Sequence, residues 1–235
     1  MFDIDLTLDT ILPLAEAAYG DAPMPAGFQV TSTLKLDAPI AVAHFRDMHE
    51  DPINTAFGFV AQSSDALVVS FRGTQTECEW ADDFDFLWER FDPILPSIEV
   101  EQGFKKVYMA LRDAVEWSGE TKRLIVTGHS LGAALALLCA VDLRDRNLHP
   151  EVVTFAGPRT GGRVFREYFE RAVPSCFRVV NLRDVVPHAP AELMGYVHVG
   201  TEVRVDGGFT DDLRVAHSLT SYRAGLERLK AKRAA

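Results

Sequence analysis

Residues 124–138, LIVTGHSLGAALALL, restrict the fold more than any other stretch of the chain. Leu124–Thr127 is a β-branched run that reads as a buried strand, and Leu131–Asp145 is an apolar, alanine-rich segment that reads as a buried helix. Only Gly128, His129 and Ser130 separate them. A strand that feeds a helix almost without a loop belongs to a layered α/β architecture, in which helices cross over a mostly parallel sheet. The other segments alternate in the same way. Ala66–Arg72, Val152–Phe155 and Cys176–Asn181 read as strands, and Gly103–Trp117 and Gly162–Ala172 as helices. Further on, GYVHVGTEVRVDGG reads as two short strands turning near Gly200, and SLTSYRAGLERLK sets Leu219, Tyr222, Leu226 and Leu229 at helical spacing. The fold class is therefore α/β, as a single domain over residues 1–235.

Bulk properties exclude several kinds of partner. The net charge of −10, from 24 basic and 34 acidic residues, argues against nucleic acid and against anionic membranes. No apolar run approaches the roughly 18 residues of a transmembrane helix. Asp3, Asp5 and Asp9 precede the first basic residue, Lys35, so no signal peptide is expected. Cys78, Cys139 and Cys176 are odd in number and lack metal-type spacing, which favours reduced thiols and a cytoplasmic location. HFRDMHE at 44–50 lacks the His-Glu-x-x-His spacing of a zinc site, and neither metal nor cofactor is expected.

Ser130 lies between glycines at the strand–helix joint. It is either the cap of an ordinary turn or a nucleophile held in a strained elbow, with Gly128 and Gly132 letting neighbouring backbone approach. A nucleophilic serine needs oxyanion donors, a base and an acid that orients the base. The Leu131 N–H, in the first turn of the helix, is one donor. The second is the Thr74 N–H, where the strand VVSFR ends in Gly73-Thr74. Asp184, at the end of the strand in FRVVNLRD, is the acid, ahead of Asp206, Asp211 and Asp212 in a Gly-rich loop. Among seven histidines, His217 at the entry of the last helix gives the order Ser, Asp, His. His198, alternating with Val197 and Val199, is the second candidate and reads as a half-buried structural histidine.

These motifs together resemble the class 3, fungal-type lipase family of the α/β-hydrolase superfamily. SFRGT at 70–74, GHSLGAALA at 128–136, TFAGPRTG at 154–161, NLRDVVPHAP at 181–190, YVHVGTEV at 196–203 and AHSLTSY at 216–222 occur in the family's order, over about residues 55–225. The resemblance implies an α/β-hydrolase fold, a triad of Ser130, Asp184 and His217, and an oxyanion hole of Thr74 and Leu131. It implies a serine carboxylic-ester hydrolase, foremost a triacylglycerol lipase or esterase. A phospholipase A1-like or feruloyl esterase activity is the alternative within that class, and a catalytically silent scaffold the alternative outside it. Glu101 in VEQGF stands where many members carry histidine, which bears on local packing.

One segment bears on access. In ECEWADDFDFLWERF, Trp80, Phe84, Leu87, Trp88 and Phe91 fall on one face of a helix. By the resemblance, residues 75–96 form a lid over the site; by pattern alone they equally form a helix docked on the core. From Glu77 to Glu101 there are nine acidic residues and one basic, Arg90, so a lipid interface meeting it should be neutral or zwitterionic, not anionic.

Overall fold

The structure is a computed structural model that describes residues 1–20, 22–36, 56–73, 86–116 and 123–234. Thr74, Trp80, Phe84, Cys78 and the 44–50 stretch lie outside the described residues. The chain begins with α1 (Ile4–Leu6), a π-helical turn (Thr7–Ile11) and α2 (Leu12–Ala17). Strands β1 (Gln29–Lys35), β2 (Ala56–Gln62) and β3 (Ala66–Phe71) follow, then β4 (Trp88–Phe91) and β5 (Leu95–Glu101), which leads into α3 (Gln102–Leu111). The second half runs β6 (Arg123–His129), α4 (Leu131–Asp145), β7 (Glu151–Phe155), α5 (Arg163–Ala172), β8 (Cys176–Asn181) and β9 (Thr201–Val205). It closes with α6 (Leu213–His217) and α7 (Leu219–Ala234).

Seven strands form one sheet in the order β1-β2-β3-β6-β7-β8-β9. The β1–β2 and β2–β3 pairs are antiparallel, and every pair from β3 to β9 is parallel. Alternate side chains on each strand enter different layers. Leu67, Val69 and Phe71 of β3 and Leu124 and Val126 of β6 pack toward α3, α4 and α5, whereas Val68 and Ile125 pack toward the N-terminal helices and α7. Burial on both faces explains why these strands read as unbroken apolar runs. α4 is buried from Leu131 to Leu143. Its polar residue in that stretch, Asp142, accepts from Tyr108 at 2.7 Å and from Arg112 at 2.8 and 2.9 Å.

Two expectations are corrected. Trp88 and Phe91 do not continue a helix begun at Trp80: residues 88–91 are strand β4, paired antiparallel with β5. Pro93 and Pro96 are the physical reason, since proline disfavours helical geometry in its predecessor and donates no helical hydrogen bond. Trp88 lies face to face with Tyr196 at 3.8 Å, and Phe91 is buried within reach of Tyr108. The stretch from Tyr196 to Val205 also yields one strand, not two. Residues 196–199 contribute a single bridge from Val197 to Gly161, and after Gly200, at φ 74°, the chain enters β9 parallel to β8. The Tyr196 and Val199 side chains are buried, and that burial holds the segment without a ladder.

Candidate active site

The strand–helix joint is a strained elbow. Ser130 has φ 58° and ψ −127°, a backbone conformation that costs a non-glycine residue about 1–3 kcal/mol. The crowding around it accounts for the flanking glycines: a Cβ on Gly128 would stand 2.1 Å from the Gly132 carbonyl oxygen, and one on Gly132 would stand 2.3 Å from that of Phe71. Ser130 donates its N–H to the Phe155 carbonyl at 3.0 Å, which fixes the elbow to β7. Its Oγ is buried and makes no hydrogen bond among the described residues. The Leu131 N–H opens α4, where the helix provides no internal acceptor for it.

Asp184, in the loop after β8, and His217, the last residue of α6, are brought together across 33 residues of sequence. His217 Nδ1 donates to Asp184 Oδ2 at 2.8 Å, and both side chains are buried. With Nδ1 protonated, Nε2 of the neutral ring is the basic nitrogen. Asp184 is itself anchored: Oδ1 accepts from the Val186 N–H at 3.0 Å and Oδ2 from the Tyr222 hydroxyl at 2.6 Å. Burial and the Asp184 charge push the Tyr222 phenol well above its ordinary pKa, so it remains a donor. Asn181, at the end of β8, donates to the Ala216 carbonyl at 2.7 Å and accepts from the Gly207 N–H at 2.9 Å, tying α6, whose last residue is His217, and the loop before it to β8.

His129, the residue before Ser130, packs against His217. Its ring lies 4.7 Å from that of His217, centroid to centroid, and its Nε2 is 2.8 Å from the His217 carbonyl oxygen. Gly73 approaches from the end of β3, where a Cβ would stand 2.9 Å from Ser130 Cβ. The structure thus gathers Ser130, Leu131, Asp184, His217 and Gly73 at one sheet edge, with Thr74 following Gly73 outside the described residues. His198 lies apart from this group. Its Nε2 is bonded to the Pro187 carbonyl at 2.7 Å, and burial, followed by the nearby Arg178, pushes its pKa down to about 3. Asp206, Asp211 and Asp212 are exposed, and Asp212 caps α6.

The class 3 lipase family model matches residues 68–194. The chain belongs to the class 3 lipase family. Among its relatives, phospholipase A1-II 4 of Oryza sativa subsp. japonica is 33% identical over 225 residues, covering 75% of this chain and 56% of the relative. The lipase of Rhizopus niveus is 33% identical over 175 residues, covering 68% of this chain and 44% of the relative. Of the solved structures, Rhizomucor miehei triacylglyceride lipase superposes with a TM-score of 0.60 at 26% identity, covering 72% of this chain and 77% of that one. The chain spans about half the length of the curated relatives it matches, 44% and 56% for two of them. The α/β-hydrolase fold expected from the motifs is thus the fold found.

Two contributors to the site were not singled out from sequence. Tyr222 was legible only as a core position of the last helix, because helical spacing reports which face is buried and not where a hydroxyl points. Tyr19, at the end of the N-terminal helices, bonds His129 Nδ1 at 2.6 Å and carries no motif of its own. Among the described residues there is no cluster of His, Cys, Asp or Glu suited to a metal and no helix long and apolar enough to cross a membrane.

Proposed function

We propose that this class 3 lipase family member hydrolyses carboxylic esters through an acyl-enzyme on Ser130. The observation that carries the reading is the buried Asp184–His217 hydrogen bond beside the strained Ser130 elbow. His217 Nε2 takes the Ser130 proton as Oγ attacks the ester carbonyl, and Asp184 holds the ring and stabilises the imidazolium. The N–H groups of Leu131 and Thr74 receive the oxyanion. Collapse breaks the bond to the alcohol, which leaves with the proton from His217. Water then attacks the acyl-enzyme, its proton passes through His217 to Ser130, and the acid is released. The cycle needs no cofactor or metal.

The substrate class we propose is a lipid ester, triacylglycerol foremost, met at a neutral interface. The rice relative named as a phospholipase A1 supports a second reading, in which the alcohol side is a phospholipid. Cys139 and Cys176 are buried free thiols, which supports a reducing compartment, the cytoplasm. The test is a fluorophosphonate probe followed by peptide mapping. Labelling is expected on Ser130 and lost in Ser130→Ala; an unlabelled protein, with and without detergent, refutes the enzyme reading. Rates on soluble esters, emulsified triacylglycerol and phospholipid vesicles then rank the substrates, and a jump at the emulsion threshold is the expected sign of a cover over the site.

A further inference from the structure

Behind the proposed triad runs a chain of hydrogen bonds that joins four separate parts of the fold. The Gly73 N–H donates to the Tyr19 hydroxyl oxygen at 3.0 Å; that hydroxyl lies 2.6 Å from His129 Nδ1; and His129 Nε2 lies 2.8 Å from the His217 carbonyl oxygen. The direction of each bond follows from chemistry. A carbonyl oxygen only accepts, so Nε2 of His129 carries the proton. Nδ1 of the neutral ring then accepts, and Tyr19 donates to it while accepting from Gly73. One hydroxyl thereby fixes the backbone just before Thr74 and, through one imidazole, the backbone of His217.

The packing leaves little slack in this arrangement. A Cβ on Gly73 would stand 2.7 Å from the Tyr19 hydroxyl, 2.9 Å from Ser130 Cβ and 3.0 Å from the His129 carbonyl oxygen. The Arg72 guanidinium lies over the Tyr19 ring at 5.8 Å, and the Tyr222 ring stands edge-on to His129 at 6.3 Å. His129 is buried, so a hydrogen bond lost there is not replaced by bulk water.

We infer that Tyr19 is a positioning residue for ester hydrolysis, setting the backbone of Gly73, the residue before Thr74, and the His217 backbone relative to Ser130 through its single hydroxyl. The inference rests on the proposed Ser130 mechanism. It places the register of an oxyanion donor and of the base under control of the N-terminal helices, which contribute no group to the reaction itself. A displacement of such groups by a fraction of an ångström falls on the transition state, where their alignment matters most, and much less on substrate binding.

The test is Tyr19→Phe, which keeps the ring beside Arg72 and removes only the hydroxyl. On a soluble short-chain ester, kcat is expected to fall about 10- to 100-fold with KM within about threefold. Fluorophosphonate labelling of Ser130 should slow by a similar factor. In a His129→Phe background the chain is already cut, so adding Tyr19→Phe should change kcat by less than about threefold, the non-additivity of residues acting as a unit. Glu16→Gln is the control: it weakens the 2.6 Å pair between Glu16, on α2 three residues before Tyr19, and Arg223 of α7, and should leave kcat within about twofold. A Tyr19→Phe enzyme with kcat within about twofold of the parent, or an equal loss in Glu16→Gln, overturns the inference. If Tyr19→Phe does not fold, His129→Phe alone, read by the same kcat and KM split, tests the chain from its other end. Wild-type protein labelled at Ser130 with no slowing in Tyr19→Phe sinks the positioning role alone. Wild-type protein that is never labelled sinks the mechanism beneath it.

Discussion

Glu101 is a carboxylate in a place that disfavours its charge. Its side chain is fully buried, and Oε2 caps α3 by accepting the Phe104 N–H at 2.7 Å. Burial pushes its pKa up from 4.5 to about 7, against the opposing pull of the Gly103 and Phe104 N–H groups and of Lys106; the neighbouring Glu89 adds to the rise. At about 1.4 kcal/mol per pKa unit, the charged form costs the fold on the order of 3 kcal/mol. The sign follows from proton counts: between pH 4.5 and about 7 the folded state holds a proton that the unfolded state has lost, so stability falls as pH rises through this window.

His198 acts in the opposite sense. Its pKa, lowered to about 3, means that below 6.5 the unfolded chain takes up a proton that the folded chain refuses, so stability falls as pH falls. From 4.5 to 6.5 the two slopes oppose each other, one proton against one, and they cancel in the wild-type protein. The decisive comparison is therefore with Glu101→Gln, which mimics the protonated side chain and can still accept from Phe104. Its stability relative to wild type should be constant below about pH 4.5, then grow by about 3 kcal/mol toward pH 8, where it corresponds to roughly 6–12 °C in Tm. Urea unfolding at pH 4.5, 6 and 8 measures this difference, with equal m-values as the check that only stability has changed. A difference that stays flat within about 0.5 kcal/mol would refute the buried-carboxylate argument.

The two histidines separate cleanly. His217→Ala should cut kcat by about 10⁴-fold or more, whereas His198→Ala should keep kcat within about tenfold and lower the urea midpoint; the reverse pattern would reassign the base. Gly128→Ala, whose new methyl would collide with the Gly132 backbone, should fail to give folded protein by circular dichroism and gel filtration. Adding anionic lipid to neutral ester droplets should weaken binding of this chain of net charge −10, as read by droplet co-sedimentation, and stronger binding would contradict the charge argument.

What could be read from sequence was what local rules determine. Leu124–Asp145 declares itself because strand, elbow and helix impose different side-chain periods and residue types within one stretch, and Asp184 because a strand ends just before it. His217 could be ranked by chain order, since fold topology constrains which loop follows which. The stripe misled at Trp88 and Phe91 because large apolar residues at spacings of 4, 7, 8 and 11 fit a helix face, while Pro93 and Pro96 set a competing signal. Trp88 is large and apolar because it covers Tyr196, a contact that no helical wheel contains. Tyr19 and Tyr222 mark a different limit. Each supplies a hydroxyl to a group more than 30 residues away, His129 and Asp184 respectively. Local pattern records that such a residue is buried, not the partner that burial brings to it. The residues proposed to perform the chemistry are constrained by local geometry and so leave motifs, whereas those proposed to aim it are constrained by tertiary contacts. In this chain the aiming falls to the first and last helical segments, which close on the sheet edge from opposite ends of the sequence.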